Sequence, residues 1–114
     1  MNMRLTITFL LLVTSLQFNA QTFVPDDNFE QRLIDLGLDS GPLDDMVPTA
    51  NINTVTSLNV FNKNIADLTG IEDFAALEVL SCGRNQIMAL DVSQNTNLIT
   101  LRCNENLIAS LNIN

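Results

Sequence analysis

Apolar and polar positions in residues 77–97 recur in the stretch that follows. Leu77, Leu80, Cys82, Asn85, Ile87, Leu90 and Val92 return 21 positions later as Leu98, Leu101, Cys103, Asn106, Ile108, Leu111 and Ile113. The unit also has an internal half-period, because Leu77, Leu80, Cys82 and Asn85 reappear ten residues on as Ile87, Leu90, Val92 and Asn95. Each unit therefore predicts two similar arms, each a short strand closed by an asparagine. The asparagine amide can bond backbone groups that the bend turns inward and would otherwise bury unsatisfied. An earlier unit begins at Val55, with Leu58, Val60, Ile65 and Leu68 in place. Lys63 stands there where asparagine stands later, the spacing to Leu77 is 22, and residues 69–76 predict a short helical turn instead of a second arm.

Self-similarity at such a period is the signature of a leucine-rich repeat, here L-x-x-L-x-C-x-x-N-x-L. A unit of 21 residues is too short for a strand plus a three-turn helix, so the back of each coil is expected to be extended or 3₁₀. Before the repeats, Asp26-Asp27-Asn28 opens a helix predicted over about 27–36. Phe29, Leu33 and Leu36 share its apolar face, and Gly37 follows at its C-terminal end. This helix would close the open apolar end of the first coil. The domain reading is a signal at 1–20, a cap at 21–54 and repeats at 55–114. The repeats divide as 55–76, 77–97 and an incomplete 98–114.

The first twenty residues read as a secretory signal. Arg4 supplies the charge, Leu5 to Val13 the apolar run, and Ala20 or Ser15 the cleavage point. That run is shorter than the ~20 apolar residues of a membrane-spanning helix. Removing it leaves four basic residues, Arg32, Lys63, Arg84 and Arg102, against thirteen acidic ones, a net charge of −9. Such a chain repels phosphate backbones, which disfavours nucleic acid and anionic membranes as partners. Cys82 and Cys103 fill the same core slot in successive repeats, where parallel strands would stack the side chains ~4.8 Å apart. Stacking suits two free buried thiols better than a relaxed disulfide.

Catalysis has little to stand on. Without a single histidine, Ser–His and Cys–His arrangements are impossible. The adjacent carboxylates at Asp26/Asp27, Asp44/Asp45 and Glu72/Asp73 read as helix caps and solvated loops, and no cofactor is expected. One acidic loop could offer hard oxygen ligands to calcium, through Asp39, Asp44 and Asp45 beside Ser40. The binding surface is read from strand alternation, which turns every second side chain away from the core. The outward columns are Ser57, Val79 and Thr100; Asn59, Ser81 and Arg102; and Phe61, Gly83 and Asn104. Phe61 and Arg102 are of types enriched among interface hot spots, although Phe61 could instead pack under the cap.

The cap TFVPDDNFEQRLIDLGLDSGPLDDMVPTANI, the unit VTSLNVFNKNIADLTGIEDF and the spacer LDVSQNTNL together resemble secreted bacterial leucine-rich repeat proteins of the internalin-like type. That resemblance implies an α/β solenoid, a short right-handed leucine-rich repeat array with an N-terminal capping helix, exposed outside the cell. It implies contact with a protein or glycan at a cell surface through the concave face. The leading expectation is a secreted or cell-surface, non-enzymatic binding module. The alternative is a structural spacer or cap of a larger secreted protein, with a calcium-stabilised N-terminal loop. The sequence stops at Asn114, within a repeat, so a truncated gene or the N-terminal piece of a longer array is expected. On its own, the mature chain is expected to fray from Asn106 onward and to self-associate as salt rises.

Overall fold

A computed structural model describes residues 19–113. The expected secretory signal lies outside the described residues, apart from its last two positions. Strand β1 (Gln21–Phe23) pairs antiparallel with β2 (Met46–Pro48), and helix α1 (Asp27–Asp35) lies between them in sequence. Asp26 starts the helix, its Oδ1 accepting the Phe29 N–H at 3.0 Å. This satisfies one of the donors that a helix start leaves open. Gly37 terminates it at φ 77°, a backbone state that glycine adopts without a Cβ clash. The helix buries Phe29, Glu30 and Leu33. Leu36, expected on that face, is 41% exposed because it is the residue at which the helix ends. Leu38, beyond the turn, packs against the core in its place.

A one-turn helix α2 (Thr49–Ile52) leads to β3 (Ser57–Asn59), and from there the chain returns to the same sheet at fixed intervals. Strands β3, β4 (Val79–Ser81) and β6 (Thr100–Arg102) form a parallel sheet, in which Leu58, Leu80 and Leu101 are partners. The second arms, β5 (Ala89–Asp91) and β7 (Ser110–Asn112), pair in parallel as a separate sheet, with Leu90 opposite Leu111. In the first pass a 3₁₀ turn (Ile71–Asp73) stands where the second arm would be. Between these layers lies one core, including Leu58, Val60, Ile65, Leu80, Cys82 and Ile87. Cys82 and Cys103 are free thiols, but only Cys82 is buried; Cys103, expected to be buried, is half-exposed. Among the described residues, no later pass covers its side of the stack.

Side chains, more than the short helix itself, tie the N-terminal segment to the first pass. Phe29 stacks on Phe74 with ring centroids 6.4 Å apart. Asp26 uses its second oxygen to accept the backbone N–H groups of Ala66 and Asp67, at 2.9 and 3.1 Å. Thr22 Oγ1 donates to Asp73 Oδ2 at 2.7 Å, and Asn28 donates to the Asn64 carbonyl at 2.8 Å. Gly70, at φ 109°, lets the chain pass close to β1: a Cβ there would stand 2.8 Å from Val24 Cγ2 and 2.9 Å from the Phe23 carbonyl oxygen.

Candidate interaction surface

The outward face of the β3–β4–β6 sheet is built on locked bends. After each strand the chain leaves through a residue with positive φ, namely Asn62 (56°), Arg84 (54°) and Glu105 (58°), which occupy equivalent positions in successive passes. Asparagine tolerates that conformation. Arginine and glutamate adopt it at a cost of order 1 kcal/mol, repaid by the surrounding structure. The repayment is visible one residue on. Asn85, 5% exposed, accepts the N–H groups of Lys63 and Ile65 on its Oδ1, at 2.9 and 3.0 Å. Its Nδ2 donates to the carbonyls of Val60, Cys82 and Gly83. Asn106 repeats the pattern, donating to Cys82 and Cys103 and accepting from Ile87. Asn95 does so incompletely. Its Nδ2 reaches the Ile71 and Phe74 carbonyls, while its buried Oδ1 has no partner. The cause is the 3₁₀ turn, where the Asp73 and Phe74 N–H groups already donate to Gly70 and Ile71.

Of the nine outward positions, Ser57, Asn59, Phe61, Arg102 and Asn104 are exposed, and Val79, Ser81 and Thr100 are half-buried. Gly83 corrects the sequence reading: it is buried, and a Cβ there would press on Asn104, 2.8 Å from its Oδ1 and 3.1 Å from its backbone oxygen. Asn104, from the next pass, covers it. Phe61 is not part of the buried core. It is 42% exposed, and the Arg84 guanidinium lies over its ring, 5.5 Å from the centroid. Arg84 also pairs with Glu105 on the following pass. Alternation alone missed Arg84, because a residue of positive φ falls outside the period-two pattern of a strand. Helix α1 contributes a further cation, as Arg32 Nε donates to the Asn59 carbonyl at 2.9 Å. Asn59 is the register partner of Ser81, which in turn partners Arg102.

The acidic loop is organised around a residue that the sequence did not single out. Glu30, 0% exposed, accepts the backbone N–H groups of Asp44 and Asp45, both at 2.9 Å. Burial raises its carboxyl pKa above the ordinary 4.5; the two backbone bonds oppose the rise, and the Asp44 carboxylate reinforces it. Glu30, Asp39 and Asp44 each bring a carboxylate oxygen within 4.8 Å of the others, and so do Asp27, Glu30 and Asp45. The three loop residues named from sequence are thus split between two groups that share Glu30. Asp39 Oδ2 is buried without a hydrogen-bond partner.

No family model matches this chain. Internalin J of Listeria monocytogenes serotype 4b (strain F2365) is 40% identical to it over 72 residues, 63% of this chain and 8% of that protein. The likeness is to internalins. The solved functional domain of internalin J, described as including a cysteine ladder, superposes with a TM-score of 0.66 at 36% identity, covering 80% of this chain and 21% of that one. Internalin InlF from Listeria monocytogenes str. 4b F2365 shares the fold at a TM-score of 0.62 and 23% identity, over 78% of this chain and 30% of that one. Against internalin J, the chain spans less than a tenth of the protein's length.

Proposed function

We propose that this chain is an extracellular, non-enzymatic binding module that recognises a protein or glycan at a cell surface. The reading takes the described residues as part of a right-handed leucine-rich repeat solenoid, with residues 21–54 as its cap and the β3–β4–β6 face as its concave surface. Parallel strands that return at a spacing of 21 support the solenoid, and parallel connections are right-handed in nearly all proteins. The observation that carries the function is the exposed pairing of Phe61 with Arg84 on a sheet face whose backbone is locked by Asn85. Aromatic and arginine side chains on a rigid support are what interfaces concentrate. The likeness to internalins supports an exported protein with residues 1–20 as its signal, which mass analysis of the N-terminus of secreted material would check.

The test is a pull-down from host or neighbouring-cell surface fractions, repeated with Phe61→Ser and Arg102→Glu. Loss of the captured partner in either variant, with an unchanged melting curve, is the expected result. Retention in both overturns the assignment of the face. A second reading, a spacer or cap stabilised by calcium, is favoured by the unpartnered Asp39 Oδ2 beside Glu30 and Asp44. It requires a melting temperature that rises with calcium and loses that rise in Asp39→Asn.

A further inference from the structure

The charges of this strongly acidic chain are sorted by face. Of the four basic residues beyond residue 20, Arg32, Arg84 and Arg102 each lie on or beside the β3–β4–β6 sheet. The fourth, Lys63, lies in the bend just after Phe61 and Asn62. On the far side, the groove of about 380 Å³ along β5 is lined by Asp67, Glu72 and Asp91. Among the described residues, Glu105 is the carboxylate in contact with the sheet-face arginines, and it touches Arg84.

Resting on the binding-face reading above, we infer that this face takes an acidic peptide segment, and that Glu105 stands in for a ligand carboxylate on Arg84. Charge complementarity selects the anion, since a negatively charged partner would be repelled by every other charged surface described here. The guanidinium fork fits a carboxylate in two-point geometry, and Glu105 already supplies such a group from within the chain. Arg102, in contrast, is exposed on β6 and has no carboxylate beside it among the described residues. Phe61 argues for a peptide over a sugar. One face of its ring is covered by Arg84, which leaves an apolar edge suited to an apolar side chain next to an acidic one. Arg102 ends β6 and Arg84 stands in the bend just after β4, the neighbouring strand of a sheet whose spacing is ~4.8 Å per pass, so an extended segment laid across the passes could meet both.

The experiment titrates the ¹⁵N-labelled full chain with a labelled extended peptide of Asp, Glu and Leu, with the same peptide carrying Lys for its acids, and with heparin. The expected result is binding of the acidic peptide alone, with shifts confined to residues 59–62, 83–84 and 102–105 and an affinity that weakens with added salt. Arg84→Asn keeps a residue suited to positive φ, and Arg102→Gln changes an exposed side chain; each is expected to weaken binding about tenfold without moving the melting temperature. Glu105→Gln is expected to tighten it several-fold by freeing Arg84. Equal binding of acidic and lysine peptides on this face, saturation of the face by heparin with none by peptide, no binding by any probe, or indifference to all three variants overturns the inference but leaves the face as the binding surface. Shifts that fall instead on β5 and β7 or on α1 overturn the face assignment itself.

Discussion

Asn85 and Asn106 hold one carbonyl between them. Both side-chain amides donate to the oxygen of Cys82, Asn85 at 3.0 Å from its own pass and Asn106 at 2.9 Å from the next. The oxygen thereby fills both lone pairs without water, and two bends are locked to one another. Asn85 is more deeply committed, as it also bonds the Val60 carbonyl and the Lys63 and Ile65 N–H groups. Asn85→Ala would strand several buried groups at once and is expected to cost about 3–4 kcal/mol. Asn106→Ala, at a half-exposed site, should cost about 1–2 kcal/mol. Urea unfolding of the two variants checks the order; an equal loss would show that the passes are not tied in this way.

Gly70 is expected to be intolerant of a side chain. At φ 109°, with the Phe23 carbonyl oxygen 2.9 Å from the place of a Cβ, the variant must strain its own backbone and push β1 away. Gly70→Ala should lose about 2–4 kcal/mol. Gly37→Ala, also at positive φ but with nothing within 4 Å, should lose only about 1 kcal/mol. Thermal melts of both variants separate the steric contribution from the conformational one.

The two thiols are expected to differ in reactivity. Burial, reinforced by the neighbouring Cys103, pushes the Cys82 thiol up to about 12, so it holds its proton at any physiological pH. Timed alkylation at pH 8 with mass analysis should label Cys103 first, and Cys82 only on unfolding. Because the folded state keeps this proton, stability is undiminished below the ordinary 9.0 and falls as pH climbs toward about 12. Simultaneous labelling of both would contradict the buried placement.

Glu30 is expected to titrate above the ordinary glutamate value of 4.5. A group raised in the folded state binds its proton more tightly there than when unfolded. Its contribution to stability is therefore complete below 4.5 and is lost as pH rises through the raised value. Carbon-detected NMR of the glutamate carboxyls would follow this directly, with a Glu30 midpoint above 4.5 expected. A midpoint for Glu30 at or below 4.5 would show that the backbone bonds to Asp44 and Asp45 outweigh burial.

What could be read in advance was whatever repeats. The spacing of 21 set Leu80 beside Leu101, Cys82 beside Cys103 and Asn85 above Asn106, because positions one period apart meet the same neighbours. Likewise Asp26 and Gly37 marked the ends of α1, since cap chemistry is local. Only the tertiary structure decided the rest. Burial of Gly83 depends on Asn104 leaning over it, and exposure of Leu36 on the helix ending at that residue. The stranded Oδ1 of Asn95 follows from a 3₁₀ turn in the preceding pass. Arg84 reaches Phe61 and Glu105 only because a positive φ turns it out of the strand's alternation. Glu30, an unremarkable acid on a helix, becomes buried because a loop fourteen residues later folds its N–H groups onto it. Periodicity records which residues share an environment; what fills that environment comes from segments distant in sequence, and no local pattern encodes them.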